Sequence, residues 1–244
     1  MNNQALHNVN NTLICCADIT SDWFANHLCY WQSLLNSEEK ARFDAFKTKQ
    51  RQQQFLLGRV LLAYSVNQLN ESIKFAHYEM PNFNQIRLGN NLFYKSISHA
   101  NNLVVVALSS VEHNLGIDIE AIKDRDFKGL SDEYFCSQEV NALDNVGWTA
   151  ENFYRLWTAK EAYTKVTQSG ISHSLSLNFS KLLAAPDEPK TSEGVECQRL
   201  YFYQHNMGNH MLSIATERAS SIFSVTPIMV HLRPDTLQQS RKGI

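Results

Sequence analysis

The pattern of apolar and polar positions changes its period several times along the chain, and each period predicts a different kind of element. Between residues 34 and 69 the apolar side chains recur at helical spacing. A capping-box pattern runs from Ser37 to Lys40, where Lys40 replaces the usual Glu. We therefore predict two helices in this segment, joined near residues 47–49.

The rest of the chain alternates short apolar runs with one further strong helical pattern. The helical pattern covers residues 151–168, and a polar, helix-like region at 127–143 precedes it. Residues 233–244 have the composition of a polar tail. The runs that predict strands are residues 86–88, 92–100, 102–109, 115–122, 176–179, 198–204 and 210–217.

Two stretches of the chain resemble each other. Residues 93–109, "FYKSISHANNLVVVALS", and residues 202–218, "FYQHNMGNHMLSIATER", both have an aromatic start, a polar turn and a strand. A long helix precedes each stretch, so we predict an α+β fold of two pseudo-symmetric halves, residues 1–114 and 115–244. A site in the cleft between two halves would be a natural binding place.

Composition excludes some functions. The 22 basic and 24 acidic residues give a formal charge of −2, without the basic excess that non-specific nucleic-acid binding uses. The start of the chain lacks a secretory pattern, and its apolar runs are strand-length, so we expect a soluble, cytoplasmic protein without a membrane span. The five cysteines have no metal-ligand spacing and are predicted to be reduced thiols.

The segment "GIDIE" contains the first candidate functional residues. On a strand, Asp118 and Glu120 project from one face and Ile117 and Ile119 from the other. Two neighbouring carboxylates repel each other unless water, a proton or a cation relieves the repulsion, and oxygen ligands favour Mg²⁺ or Mn²⁺. Taken alone, such a pair is more often the solvated face of a strand.

The segment "FYRLWTAKEAYTKV" contributes a third carboxylate. Trp157, Glu161 and Lys165 are spaced four apart and share one stripe of the predicted helix. An isolated Glu–Lys pair at this spacing is usually a surface ion pair. The large Trp on the same stripe favours a partly enclosed site instead.

The two segments together predict a site for a diphosphate. Asp118, Glu120 and Glu161 could form half of a Mg²⁺ coordination shell, and phosphate oxygens and water would complete it. Lys160 and Lys165 could then neutralise phosphate charge beside the metal. The pattern therefore indicates transfer chemistry at a pyrophosphate.

A third element, "SISHA", stands at the end of a predicted strand. Ser98 and His99 there could offer hydrogen-bond donors to an anion. A single His in this position is more often structural, so the sequence leaves both interpretations open.

In order and type, "SISHA", "GIDIE" and "FYRLWTAKEAYTKV" resemble the motifs of the Sfp-type 4′-phosphopantetheinyl transferases, over about residues 35–180. The resemblance implies two pseudo-symmetric α+β halves with coenzyme A bound in the cleft between them. It also implies a Mg²⁺-dependent transfer of 4′-phosphopantetheine to a serine of an apo carrier protein, which releases adenosine 3′,5′-bisphosphate. Ser96 and Ala100 replace an Asn and a Ser that are common in the family.

The resemblance also implies residue roles. Asp118, Glu120 and Glu161 are similar to the family's metal ligands, and Glu161 is our first candidate for the base that accepts the serine proton. Lys165 corresponds to the residue that stabilises or protonates the leaving phosphate, with Lys160 and Trp157 in support. His99, beside Ser98, corresponds to a residue that contacts a coenzyme phosphate. Arg51 and Arg59 are candidates for binding the coenzyme's 3′-phosphate, although either could instead solvate an amphipathic helix.

Two other functions remain open from the sequence. The chain could be a module that binds carrier proteins without transfer, or a metal-dependent hydrolase of nucleotide pyrophosphates. For the transferase we expect a monomer that binds an acyl or peptidyl carrier protein, with the segment 127–135 as a place to look for its docking surface.

Overall fold

A computed structural model of the chain describes residues 12–69, 79–82, 84–110, 114–184, 195–217 and 228–232. The helices are α1 (Asp22–Ala25), α2 (Leu28–Gln32), α3 (Ser37–Asp44), α4 (Lys49–Leu69), α5 (Ser131–Tyr134), α6 (Ser137–Val146), α7 (Ala150–Thr167) and α8 (Ile171–Leu175), and a 3-10 helix covers Ser180–Ala184. The strands are β1 (Thr12–Asp18), β2 (Glu79–Asn82), β3 (Gln85–Leu88), β4 (Asn91–Ala100), β5 (Leu103–Ser109), β6 (Leu115–Ala121), β7 (Val195–Cys197), β8 (Leu200–Asn206), β9 (His210–Thr216) and β10 (Ile228–Met229).

The strands form two sheets, which confirms the predicted α+β class. The first sheet has the order β10-β1-β5-β4-β3-β2, and the second has the order β6-β9-β8-β7. The two resembling stretches become the antiparallel hairpins β4–β5 and β8–β9. The chain passes from the first sheet to the second between β5 and β6, and β10 then returns to pair in parallel with β1. The exact division at residue 114 stays a prediction.

Three apolar clusters stack the layers of the molecule. The first packs α4 and its neighbours against the first sheet, and the second packs α7 against the second sheet. The third joins the two sheets face to face, with Val105 of β5 and Ile117 of β6 among its buried members. Because β5 is covered on both faces, its sequence is a continuous apolar run instead of an alternating one.

Two details of the chain differ from the sequence prediction. Helix α3 has its capping box one residue earlier than predicted, because the side chain of Asn36 accepts from the Glu39 amide and Glu39 accepts from the Asn36 amide. The predicted strand at 176–179 is wrong, since this segment is irregular and leads into the 3-10 helix. The predicted tail at 233–244 lies outside the described residues.

The contact between β6 and α7 depends on one glycine. A Cβ atom on Gly116 would collide with the carbonyl oxygen of Ala162 in α7. Without a side chain there, the helix lies directly on the strand, so that Asp118 and Glu120 of β6 come close to Glu161 and Lys165 of α7. Among the described residues, no helix is long and apolar enough to cross a membrane.

Candidate active site

The candidate site lies along the free edge of β6, the outermost strand of the second sheet. The Ile117 amide donates to Ser96 Oγ at 3.0 Å, and the Ile119 amide donates to Ser98 Oγ at 3.3 Å. The Ile117 carbonyl accepts from Lys165 Nζ at 2.7 Å. An edge strand leaves such backbone groups unpaired, and here β4 and α7 use them to join the two halves of the molecule.

Asp118 is the most constrained carboxylate at this edge. Its Oδ1 accepts from Ser98 Oγ at 2.8 Å and from Lys165 Nζ at 2.8 Å. Its Oδ2 is buried and has no hydrogen-bond partner. A buried carboxylate oxygen without a partner is costly, so this atom has an unused capacity to bind a cation or a donor.

Glu120 and Glu161 lie close enough to Asp118 for its charge to change their pKa values. Burial, and then the charge of Asp118, raises the pKa of Glu120, although Trp157 Nε1 donates to Glu120 Oε1 at 3.4 Å. Burial and the same Asp118 charge raise the pKa of Glu161. The charge of Glu120 also raises the pKa of Glu161, and a shared cation would relieve the repulsion among these carboxylates.

The carboxylates of Asp118, Glu120 and Glu161 are near one another but are not arranged as a closed set of metal ligands. Among the described side chains, no three His, Cys, Asp or Glu residues are already gathered as a metal-binding set. The donor chemistry nevertheless fits Mg²⁺, which is commonly held by a few carboxylate oxygens while water and substrate phosphate complete its shell. The partnerless oxygen of Asp118 is the structural feature that agrees best with such a half-shell.

The two lysines predicted for the site have different surroundings. The Lys165 ammonium donates to the carbonyl of Ile117 and to the carboxylate of Asp118, both in β6, and its side chain remains 22% exposed. Lys160 is fully buried and pairs with Glu139 of α6 at 2.9 Å, and its ammonium also donates to the carbonyls of Ser174 and Leu177. The prediction that Lys160 binds the coenzyme is therefore corrected: its donors are already used inside the fold.

Ser98 and His99 also take separate roles. The Ser98 hydroxyl is used by Asp118 and the edge of β6, so it orients the carboxylate instead of facing a cavity. Burial, then the charges of Arg51 and Lys165, lowers the pKa of His99 to about 4. The ring is neutral at pH 7, and because Arg51 donates to its Nε2, the proton is on Nδ1.

A cavity of about 310 Å³ opens on the other side of His99, and we call it the basic cavity. Its lining includes both predicted arginines and two cations that the sequence reasoning missed. These four cations are Arg42, Arg51, Arg59 and Lys95. Burial, and then the charges of the Arg59 and Arg42 guanidinium groups, lowers the pKa of Lys95 to about 8.

Aromatic rings hold the arginines of the basic cavity in place. The Arg51 guanidinium lies over the ring of Phe46 at 5.2 Å, and that of Arg59 lies over Phe55 at 4.7 Å. Arg59 also pairs with Glu39, with 3.0 Å between Nε and Oε1. Several cations for one carboxylate make this cavity suited to a multiply charged anion such as a phosphomonoester.

The two phenylalanines of the segment predicted for carrier docking do not contribute to an exposed apolar patch. Phe127 is 5% exposed and Phe135 is 7% exposed, and both belong to the core beneath α7. Their rings contact Phe153 at centroid distances of 4.8 and 5.1 Å. Phe127 and Phe135 therefore stabilise the second half of the molecule, and whether the rest of the segment docks a carrier stays a prediction.

Comparison with known proteins gives a consistent set of relatives. Residues 114–215 match the sequence model described as the 4′-phosphopantetheinyl transferase superfamily. A protein of Synechocystis sp. named as a putative 4′-phosphopantetheinyl transferase is 29% identical over 198 residues, which is 76% of this chain and 80% of that protein. A 4′-phosphopantetheinyl transferase of Bacillus pumilus is 35% identical over 94 residues, 37% of this chain and 38% of its own. Another from Bacillus subtilis is 30% identical over 146 residues, 57% of this chain and 63% of its own.

Proposed function

We propose, from the premise that the chain belongs to the 4′-phosphopantetheinyl transferase superfamily of enzymes, that it transfers the 4′-phosphopantetheine group of coenzyme A to a serine of an apo acyl or peptidyl carrier protein. The observation that carries the proposal is the setting of Asp118. One of its oxygens is held by Ser98 and Lys165, while the other is buried without a partner.

A divalent cation, Mg²⁺ or Mn²⁺, is part of the proposal. Asp118, Glu120 and Glu161 would hold it, and it would neutralise the diphosphate oxygens of the coenzyme. The support is the donor set itself, together with the raised pKa values of Glu120 and Glu161 beside the Asp118 carboxylate. Lys165 would add a positive charge on the same side of the cleft.

In the transfer, the serine oxygen of the carrier attacks the phosphorus that bears pantetheine. A new oxygen–phosphorus bond forms while the bond to the bridging oxygen breaks, and adenosine 3′,5′-bisphosphate leaves. Glu161 takes the serine proton, since burial and then the Asp118 charge raise the pKa of its carboxyl above the ordinary value and so make it a stronger proton acceptor. Lys165 offsets the charge that develops on the leaving phosphate.

The nucleotide part of the coenzyme would occupy the basic cavity. Arg51 and Arg59, predicted for the 3′-phosphate, both line it, and Arg42 and Lys95 add two further cations. His99, which also lines this cavity, would contact a phosphate of the coenzyme there. Positioning of the two ends of the diphosphate would then supply much of the rate acceleration.

The test is incubation with fluorescently tagged coenzyme A and a panel of apo carrier proteins. We expect label on a carrier only when Mg²⁺ or Mn²⁺ is present, and none on a carrier whose acceptor serine is replaced by Ala. Label on no carrier of the panel, with binding of carriers intact, would favour a binding module. Cleavage of coenzyme A without any carrier would favour a pyrophosphate hydrolase.

A further inference from the structure

A buried glutamine of α4 connects this helix to the β4–β5 hairpin that carries His99. Gln54 is 5% exposed and lies in the wall of the basic cavity. Its amide nitrogen donates to the carbonyl of Asn101 at 2.6 Å, and its amide oxygen accepts from Arg51 Nη1 at 2.9 Å. Both ends of the buried amide are therefore used, and they join two segments that are far apart in the sequence.

The hairpin determines which way this amide points. Asn101 follows β4 in the left-handed region, with a φ of 49°, and its carbonyl faces α4. A carbonyl can only accept, so the nitrogen of Gln54 must face it and the oxygen must face Arg51. Gln50 donates to the same carbonyl at 3.1 Å and so holds the turn from one helical turn earlier. The fold thus presents Gln54 to Arg51 as an acceptor.

Neutral groups hold the guanidinium of Arg51. It lies over the ring of Phe46, and its Nη1 donates to Gln54 Oε1 and to His99 Nε2. The imidazole is neutral at pH 7, since burial and then the Arg51 and Lys165 charges lower the pKa of His99 to about 4. None of these three partners carries a negative charge, so the charge of Arg51 remains available to an anion.

The other arginine predicted for the coenzyme has a charged partner. Arg59 Nε lies 3.0 Å from the Glu39 carboxylate, which offsets the Arg59 charge. Arg51 differs in this respect, and the protein uses only one of its nitrogens: within the described chain, its guanidinium hydrogen bonds all come from Nη1. Nε and Nη2 form the edge of a guanidinium that can hold a phosphate with two parallel hydrogen bonds.

Resting on the proposed function, we infer that Gln54 is a positioning residue for coenzyme A. It holds Arg51 beside His99 before the coenzyme binds, and its uncharged amide does so without neutralising the guanidinium. Arg51 is at an exposed position, where an unsupported arginine side chain has many rotamers. A phosphate that must also order such a side chain binds more weakly, so fixing Arg51 in advance raises the affinity for the coenzyme.

A double-mutant cycle tests the inference. Gln54→Met keeps the length of the side chain but removes both hydrogen bonds, and we expect coenzyme A to bind at least about tenfold more weakly in calorimetry with Mg²⁺ present. Arg51→Ala should weaken binding at least as much. Because Gln54 acts through Arg51, the double variant should bind coenzyme A as Arg51→Ala does. In carrier labelling, the KM for coenzyme A should rise while kcat stays within about threefold of wild type.

Two further variants separate the charge of Arg51 from the support of the hairpin. Gln54→Glu can still accept from Arg51 but adds a negative charge beside the guanidinium, so coenzyme A should again bind at least about tenfold more weakly. Gln50→Met is the matched control, because this exposed side chain donates to the hairpin at Asn101 and Asn102. It should change coenzyme A affinity by less than about twofold.

Other outcomes would overturn the inference. A Gln54→Glu variant that binds coenzyme A as tightly as wild type would show that a neutral acceptor is not required. Effects that multiply in the double variant, or an equal loss in Gln50→Met, would reduce Gln54 to a support of the hairpin. If circular dichroism shows that Gln54→Met does not fold, Gln54→Leu removes the same amide and completes the cycle.

The binding cycle also separates this inference from the proposed function. A wild-type protein that binds coenzyme A but labels no carrier would contradict the proposed transfer alone, because the role of Gln54 is measured by binding. A wild-type protein that does not bind coenzyme A would overturn both.

Discussion

Helix α7 carries two lysine–carboxylate pairs that differ in how completely they are satisfied. In the first, Lys160 and Glu139 are both fully buried at 2.9 Å, and the glutamate also accepts from the amides of Cys136 and Phe179. In the second, Lys165 and Asp118 are 2.8 Å apart, the lysine is partly exposed, and one aspartate oxygen has no partner. The first pair is closed to any ligand, and the second is open to one.

The difference separates a structural role from a functional one. A buried ion pair whose donors and acceptors are all used fixes the elements it joins, here α6, α7 and the segment after α8. A buried carboxylate oxygen left without a partner costs stability, and on the proposed function a bound cation supplies the missing interaction at Asp118. The contrast predicts opposite results when each pair is broken.

Breaking the open pair should give the largest loss of activity. Asp118→Asn keeps the shape of the side chain and can still accept from Ser98, but it removes the charge that Lys165 and a cation would use. We expect transfer to fall by at least about 10³-fold, with little change in the melting temperature, as checked by carrier labelling and thermal unfolding. Near-normal transfer at saturating Mg²⁺ would remove Asp118 from the site.

Pushing α7 away from β6 should affect the open pair and spare the closed one. Gly116→Ala places a methyl group against the Ala162 carbonyl, so the helix must shift from the strand that carries Asp118. We expect a stability loss of about 1–3 kcal/mol and roughly 10²-fold slower transfer, measured by urea unfolding and labelling.

A matched glycine in α4 provides the control for that experiment. The nearest atom to a Cβ on Gly58 is a side-chain carbon of Ile97 at 3.5 Å, an ordinary contact. Gly58→Ala should therefore leave stability unchanged or raise it slightly, because Ala favours the helix. Equal destabilisation by both substitutions would mean that the close approach of β6 and α7 is not what Gly116 provides.

The sequence predicts much of the scaffold because local periodicity determines it. The helical spacing before Leu69 and the aliphatic run of β5 each specify an element without knowledge of its neighbours. Alternation on a strand and four-residue spacing on a helix also predict which side chains share a face of β6 and of α7, whereas the approach of the two elements was a hypothesis from the chemistry of their carboxylates and lysines.

The rest of the site depends on packing between distant segments. Lys160 and Lys165 look equivalent in the sequence, and only the buried Glu139 of α6 distinguishes them. Arg42 and Lys95 were missed because α3 and β4 become neighbours of α4 only in the folded chain. The one signal for Lys95 was a charged residue inside an otherwise strand-like, largely apolar run.

Breaking the closed pair should cost stability far more than activity. Lys160→Met leaves the Glu139 carboxylate buried without its cation, and we expect a loss of about 3–5 kcal/mol in the free energy of unfolding. At temperatures where the variant remains folded, transfer should stay within about threefold of wild type, because Lys160 does not face the cleft. Adding Glu139→Gln should restore part of the stability, as measured by urea unfolding. A stable Lys160→Met variant with lost coenzyme affinity would reverse the two roles.

The smallest effect should come from pH, through the basic cavity beside the open pair. Lys95 has a pKa of about 8 because burial and the Arg59 and Arg42 charges disfavour its protonated form. A bound phosphate favours that form, so coenzyme A affinity should fall a few-fold between about pH 7 and pH 9, and Lys95→Met should flatten that part of the affinity profile.

In the protein without ligand, the contribution of Lys95 to the free energy of unfolding changes with pH in the opposite direction. The unfolded chain holds this proton up to the ordinary lysine pKa of 10.5, so it binds more protons than the folded chain above about pH 8, and this group's contribution to stability rises with pH there. Calorimetric titrations and thermal unfolding over the same pH range test both signs in one protein, and an affinity that does not change with pH in the wild type would exclude Lys95 from contact with the phosphate.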